Sequence, residues 1–152
     1  MKRDGLKQGV LTTKQLNHPD KYVGKHKDNI VYRSSWEFSF IKYLDTNPNI
    51  KKWWSEETII IYKGIDGRAH RYYMDFTFWV DKKNGMEQEV WVEIKPYFQT
   101  IPPVLKEGQS KKLKQKAILT YETNKLKWSA TQREAQRKHI IFKILTEKEL
   151  FN

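Results

Sequence analysis

Alternation of apolar and polar residues picks out two strands in this chain. In Glu89-Val90-Trp91-Val92-Glu93-Ile94-Lys95-Pro96, side chains alternate between faces, so Val90, Val92 and Ile94 point one way and Trp91, Glu93 and Lys95 the other. Pro96 lacks the N–H that a ladder needs, which ends the strand just past the lysine. Upstream, Tyr72 to Val80 repeats the pattern, with Met74, Phe76, Phe78 and Val80 on the apolar face and Asp75 on the other. Aspartate is depleted from strands, so its presence there asks for a chemical reason.

The run Thr58-Ile59-Ile60-Ile61-Tyr62 is continuous and β-branched, which predicts a strand covered on both faces. Gly64-Ile65-Asp66-Gly67 turns it into the Asp75 strand. Helical spacing appears at Trp36, Phe40, Ile41, Tyr43 and Leu44, and Asn47-Pro48 stops it, because a residue before proline is driven out of the helical region. Later, Leu113, Ala117, Ile118 and Tyr121 form one stripe of a helix predicted from Leu105 to about Tyr121, and a second helix is predicted over Ser129 to Lys138. His139 to Leu145 reads as a last strand, followed by a capping box at Thr146-x-x-Glu149.

Residues 1–29 carry Lys2, Arg3, Lys7, Lys14, Lys21, Lys25 and Lys27 with no clear period, which predicts a basic N-terminal arm ahead of one domain over 30–152. The fold class is α/β. A helix precedes a three-strand meander, and a helical crossover lets a further strand lie parallel to a neighbour, giving a mixed β-sheet flanked by helices.

Asn84-Gly85 marks a hairpin between the Asp75 and Glu93 strands. A symmetric two-residue loop there sets Asp75 opposite Ile94, on the face away from Glu93. The two carboxylates can therefore share a site only if the loop is odd in length or the pair carries a bulge.

Composition narrows the function. A chain of 152 residues builds one domain with a real core, and 14% aromatic residues rule out general disorder. The absence of cysteine removes disulfides and thiolate metal sites, and the four histidines have no zinc-like spacing. No apolar run is long enough for a signal peptide core or a membrane span, so a soluble protein of a reducing compartment is expected. The net charge of +11 favours a polyanion, nucleic acid ahead of membrane.

A Glu-x-Lys pair is common on solvated strand faces, so Glu93 and Lys95 alone say little. Asp75 on the adjacent strand and Glu37 on the preceding helix change that. Asp75 and Glu93 supply carboxylate oxygens for a hard divalent cation, and Lys95 a cation beside a phosphate, acting on the water or on the transition-state charge. Glu37 has two readings, because Ser34-x-x-Glu37 is also a capping box. Arg33, Arg71, Lys111 and Lys112 are the candidate DNA contacts, on backbone rather than bases.

This arrangement resembles the PD-(D/E)XK nuclease superfamily, with a restriction-endonuclease-like core, an aspartate on the second strand and E-x-K on the third. Met74 stands where the superfamily pattern has proline. The flanks Tyr22-Val23-Gly24, Val31-Tyr32-Arg33-Ser34-Ser35-Trp36-Glu37, Tyr72-Tyr73-Met74-Asp75-Phe76, Val92-Glu93-Ile94-Lys95-Pro96 and Asn124-Lys125-Leu126-Lys127-Trp128 are similar to the head-completion nucleases of contractile-tailed phages. A related pattern occurs in the endonuclease subunit of heteromeric transposases. The resemblance implies a Mg²⁺-dependent endonuclease, with Mn²⁺ able to substitute, that cuts double-stranded DNA without sequence preference. It implies catalytic roles for Glu37, Asp75, Glu93 and Lys95, with Asp75 and Glu93 on the metal. It further implies phage head or neck proteins as partners, no membrane, and a location in the bacterial host cytoplasm during assembly or in the virion. A transposase-type subunit and a non-catalytic DNA-binding head-completion protein are the alternatives.

Overall fold

The computed structural model describes residues 8–151. In chain order these form β1 (Gly9–Leu11), β2 (Ile30–Tyr32), α1 (Ser35–Thr46), β3 (Ile50–Ser55), β4 (Ile59–Lys63), β5 (Ala69–Tyr73), β6 (Phe76–Asp81), β7 (Glu87–Ile94), α2 (Lys111–Arg137), β8 (Ile141–Leu145) and α3 (Glu147–Leu150). The central sheet has the order β3-β6-β7-β8. Its first three strands run antiparallel and β8 lies parallel to β7. The expected mixed sheet with flanking helices is thus present.

Each face of this sheet has its own core. On one side, Phe40, Ile41 and Leu44 of α1 meet Phe76, Phe78, Val90 and Val92, all buried. Phe76 has no exposed surface, and truncating such a residue to alanine costs about 3–5 kcal/mol. On the other side, Trp91 packs with Ile60, Tyr62, Tyr72, Met74 and Ala135. Strand β7 is therefore held from both sides.

Three sequence expectations need correction. The first strand of the meander is β3, built from Ile50-Lys51-Lys52-Trp53-Trp54-Ser55, and not the Thr58–Tyr62 run. That run becomes β4, which pairs only with β5 in a separate two-stranded sheet. Ile59 and Ile61 are 46% and 58% exposed, so this strand is covered on one face and not on two. β-Branched residues favour extended backbone whatever covers them, and the pattern alone could not tell the two cases apart.

The two helices predicted in the second half are one. α2 is a continuous helix of 27 residues capped by Ser110, whose hydroxyl accepts from the backbone N–H of Leu113 at 3.2 Å. No glycine or proline interrupts residues 111–137, so nothing stops propagation. The helix begins six residues later than expected because Gly108, at φ 88°, belongs to a turn closed by the Gln109 N–H on the Lys106 carbonyl at 3.2 Å. It ends at His139, which adopts φ 58°, while the Ile140 N–H returns to the Ala135 carbonyl at 2.8 Å. This left-handed closure is the usual helix stop.

Residues 8–29 are not a loose arm. β1 pairs antiparallel with β2, and Leu16 and Tyr22 belong to the α1-side core. The Val23 N–H donates to the Trp53 carbonyl at 3.0 Å, and the Tyr22 ring meets Trp53 edge-on with centroids 4.8 Å apart. Lys2, Arg3 and Lys7 of the expected arm lie outside the described residues.

Candidate active site

The loop between β6 and β7 decides whether the two strand carboxylates can meet. The observed register pairs Phe76 with Val92 and Asp81 with Glu87, which leaves five residues, Lys82 to Met86, in the connection. Gly85 takes φ 79°, and the Lys82 N–H closes on the Met86 carbonyl at 2.7 Å. The odd loop shifts the register by one residue from the symmetric two-residue case, so continuing the pairing sets Asp75 across from Glu93. This is the odd-loop alternative that a shared site requires.

Asp75 is not inside a strand. It sits at the bend where the chain leaves β5 for β6, with the Met74 N–H donating to the Thr58 carbonyl at 2.9 Å. Freed from the ladder, its Oδ2 accepts the backbone N–H of Ile94 at 2.8 Å. Glu93 is 2% exposed. Its Oε1 lies 3.5 Å from Lys95 Nζ, whereas its Oε2 is buried with no hydrogen-bond partner among the described residues.

Glu37 approaches from α1. Its backbone N–H donates to Ser34 Oγ at 3.2 Å, and the Ser34 hydroxyl lies 3.4 Å from Glu37 Oε2. The serine caps the helix, but the reciprocal half of the capping box, a carboxylate on the N–H of Ser34, is not formed. Glu37 is instead only 8% exposed and lines a cleft of about 240 Å³ with Arg33, Ser34, Asp75, Ile94 and Lys95.

Burial of acids at such close quarters moves their titration. The Glu37 carboxyl is pushed up to about 8, first by burial and then by the negative charges of Asp75 and Glu56. Burial also raises Asp75 to about 6, against the pull of the Ile94 N–H and of Lys95. Glu93 rises to about 7 by burial, opposed by Lys95 and Lys127. Three carboxyls that titrate near neutrality mark a site short of positive charge.

That shortage fits a divalent cation. The unpartnered Oε2 of Glu93 and the Asp75 carboxylate are hard oxygen donors, and Mg²⁺ commonly takes one or two carboxylates, filling its remaining positions with water and substrate oxygens. Among the described residues no three His, Cys, Asp or Glu side chains converge tightly enough to form a complete cage, which a Mg²⁺ site of that kind does not need.

The structure brings Glu37, Asp75 and Lys95 to one cleft; Glu93 does not line it and is linked to it through Lys95, 3.5 Å away. Arg33 reaches the same rim, where its Nε is 2.8 Å from Glu56 Oε1. Arg71 is on the exposed side of β5, and Lys111 and Lys112 are exposed at the start of α2. None of these three lines the cleft. His70 is held 2.9 Å from Asp66 within its own hairpin, and Gln115 is exposed.

Two residues of the surroundings were missed. Glu56 adopts φ 55° and its N–H reaches the carbonyls of Met74 and Asp75, both at 3.2 Å. No sequence pattern announces a left-handed glutamate. Lys127, in the middle of α2, lies over the rings of Tyr72 and Tyr62, 5.4 and 5.9 Å from their centroids. Its ammonium is pulled below the usual lysine range by burial and by the neighbouring Lys95 charge, and is raised again by Glu93 and Asp75. The signal for it was its place in Asn124-Lys125-Leu126-Lys127-Trp128.

Residues 47–147 match the family model described as TnsA-like endonuclease N terminal. The chain belongs to this family of endonucleases, whose fold is that of the PD-(D/E)XK nucleases. It is also 41% identical over 134 residues to the head completion nuclease of Enterobacteria phage T4, an overlap that covers 86% of each chain. Asp75, Glu93, Lys95 and Lys127 fall inside the span of the family model, and Glu37 precedes it.

Proposed function

We propose that this protein is a Mg²⁺-dependent endonuclease that hydrolyses phosphodiester bonds of double-stranded DNA without sequence preference, with Mn²⁺ able to replace Mg²⁺. The observation that carries this reading is the buried, unpartnered Oε2 of Glu93, whose other oxygen lies 3.5 Å from the Lys95 ammonium that lines the cleft with Asp75. A bound cation would supply charge that polarises the phosphoryl group and eases deprotonation of water. The protein does the rest. The Ile94 N–H fixes Asp75, and packing on both sheet faces fixes Glu93, so both carboxylates are oriented before substrate arrives. Lys95 sets a positive charge where phosphate oxygens gain negative charge, a preorganised form of transition-state stabilisation. Glu37, with its carboxyl near 8, exchanges a proton with water in the cleft at working pH.

The biological setting is proposed from the phage relative. The chain acts as heads are completed after DNA packaging, in the cytoplasm of a bacterial host, alongside head or neck proteins. A second reading, the endonuclease subunit of a transposase, is favoured by the description of the family model. Neighbouring head and tail genes support the first, and a neighbouring transposase gene the second. The biochemical test is nicking of supercoiled plasmid by purified protein with Mg²⁺, Mn²⁺ or chelator. Cleavage with either metal and none with chelator is the expected result. A folded protein inert under every condition would make it a non-catalytic DNA-binding member.

A further inference from the structure

A second cleft, of about 530 Å³, opens between the segment that follows β7 and the first half of α2. It is within the range of small-ligand sites, about 300–1,000 Å³. Its walls are apolar, with Phe98, Val104 and Leu113 each more than half exposed and Tyr121 beside them. Lys106 and Lys116 supply positive charge to its lining and no acid does. Gln99 lines both this cleft and the candidate catalytic one, so the two are neighbours.

Asn124 also lines this cleft. The residue as a whole is 5% exposed, its side-chain amide makes no hydrogen bond to the described residues, and its amide atoms are not among the fully buried ones, so they are left open to the cleft. An amide that makes no bond to the protein and opens on a cleft is free to bond whatever enters it, in place of water. The amide offers a donor and an acceptor side by side, which is what the edge of a nucleobase asks for.

We infer that this cleft receives an unpaired nucleotide of the DNA strand leaving the catalytic site, with its base against the apolar wall and its edge on Asn124. The inference rests on the endonuclease reading and names its substrate, DNA with unpaired residues beside the cut. Base faces stack on aromatic and apolar side chains while lysines follow the backbone, and a base in a closed duplex has neither face free. An acidic protein segment would satisfy the lysines, but the shared Gln99 wall puts the ligand next to the strand in the catalytic cleft.

The test is fluorescence anisotropy in metal-free buffer with a blunt duplex and with the same duplex carrying a short single-stranded extension. The wild-type protein is expected to bind the extended DNA roughly tenfold more tightly, about the effect of one stacked base. Phe98→Ala and Asn124→Ala each bring that ratio close to one. Circular dichroism and melting confirm that both variants remain folded. A wild-type ratio of one, or a ratio that persists in both variants, overturns the inference. So does displacement of the extended DNA by a poly-glutamate peptide in preference to oligo-thymidine, which would assign the cleft to a protein partner. Because binding is read without metal, a protein that keeps the ratio but never cuts DNA refutes only the endonuclease proposal. One that cuts with a ratio of one refutes only the cleft.

Discussion

Asp75 Oδ2 accepts the backbone N–H of Ile94 at 2.8 Å, so a carboxylate that lines the cleft also closes the end of the β6–β7 ladder. One side chain therefore serves structure and site together, and two substitutions separate the roles.

Asp75→Asn keeps an oxygen acceptor for Ile94 and removes the buried charge. We expect it to abolish cleavage while melting no lower than the wild type at pH 8 in chelator. Asp75→Ala leaves the Ile94 N–H unpaired, which costs about 1–3 kcal/mol. At roughly 2–4 °C per kcal/mol for a chain of this size, the alanine variant melts measurably lower than the asparagine one. Plasmid cleavage by Asp75→Asn would remove Asp75 from the site.

The raised acids also give stability a pH dependence of known sign. The folded-state values of about 6 for Asp75, 7 for Glu93 and 8 for Glu37 lie above those of the unfolded chain, near 4. Between those limits the folded protein holds protons that the unfolded chain has released, so this contribution to stability is present below about pH 4 and is lost as pH rises through 6 to 8. Melting in chelator is expected to fall from pH 5 to pH 8. Added Mg²⁺ should reverse the fall most strongly at pH 8, where the carboxylates are charged. The decline should be shallower in Glu37→Gln, and a wild-type profile that rises over this range would contradict the burial of these groups.

The parts of the fold that could be read from the sequence are those set by local pattern. β7 showed its two faces through strict alternation, and its end through Pro96. α1 showed its stripe and the Asn47-Pro48 stop. The register of β6 against β7 could not be read, because it depends on whether Asn84-Gly85 closes a two-residue loop or sits within a longer one, and the same dipeptide suits both. The role of Ile59 to Tyr62 was hidden for a related reason: β-branched residues announce a strand but not its partners. Asp75 looked like a strand residue because Tyr72 to Val80 alternates without a break. The bend at Asp75 comes from tertiary hydrogen bonds to Thr58 and Glu56, which no window of sequence contains. Lys127 was visible as a residue but not as a neighbour of Glu93, since that proximity depends on α2 running unbroken past the hairpin tyrosines.

Lys127 yields a prediction of its own. Its cation sits over Tyr72 and Tyr62 and, together with Lys95, offsets the charge of Glu93. Lys127→Met keeps the apolar stem and removes the charge. A partly desolvated cation–π contact is worth about 0.5–2 kcal/mol, so melting should change by a few degrees at most. Single-turnover cleavage is expected to fall roughly tenfold, the equivalent of about 1.4 kcal/mol of charge interaction. Unchanged cleavage with a lower melting temperature would make Lys127 a scaffold cation only.

Glu37 and Ser34 share one helix start, and the structure divides their work in a way that can be measured. Ser34 Oγ accepts the Glu37 N–H at 3.2 Å, which is the cap, and the Glu37 carboxylate is turned into the cleft toward the negative charge of Asp75 instead of back to the Ser34 N–H. Ser34→Ala should cost on the order of 1 kcal/mol in stability and leave the folded fraction active. Glu37→Gln removes a buried charge while its amide oxygen can still accept from the Ser34 hydroxyl and the Arg33 backbone, so the protein should melt as high as the wild type or higher above pH 8. Its cleavage should fall by orders of magnitude, because glutamine cannot exchange a proton with water. The contrast needs only two variants, a melting curve and a plasmid assay. If Glu37→Gln cuts normally and melts lower, the glutamate belongs to the helix cap, and the site reduces to Asp75, Glu93 and Lys95.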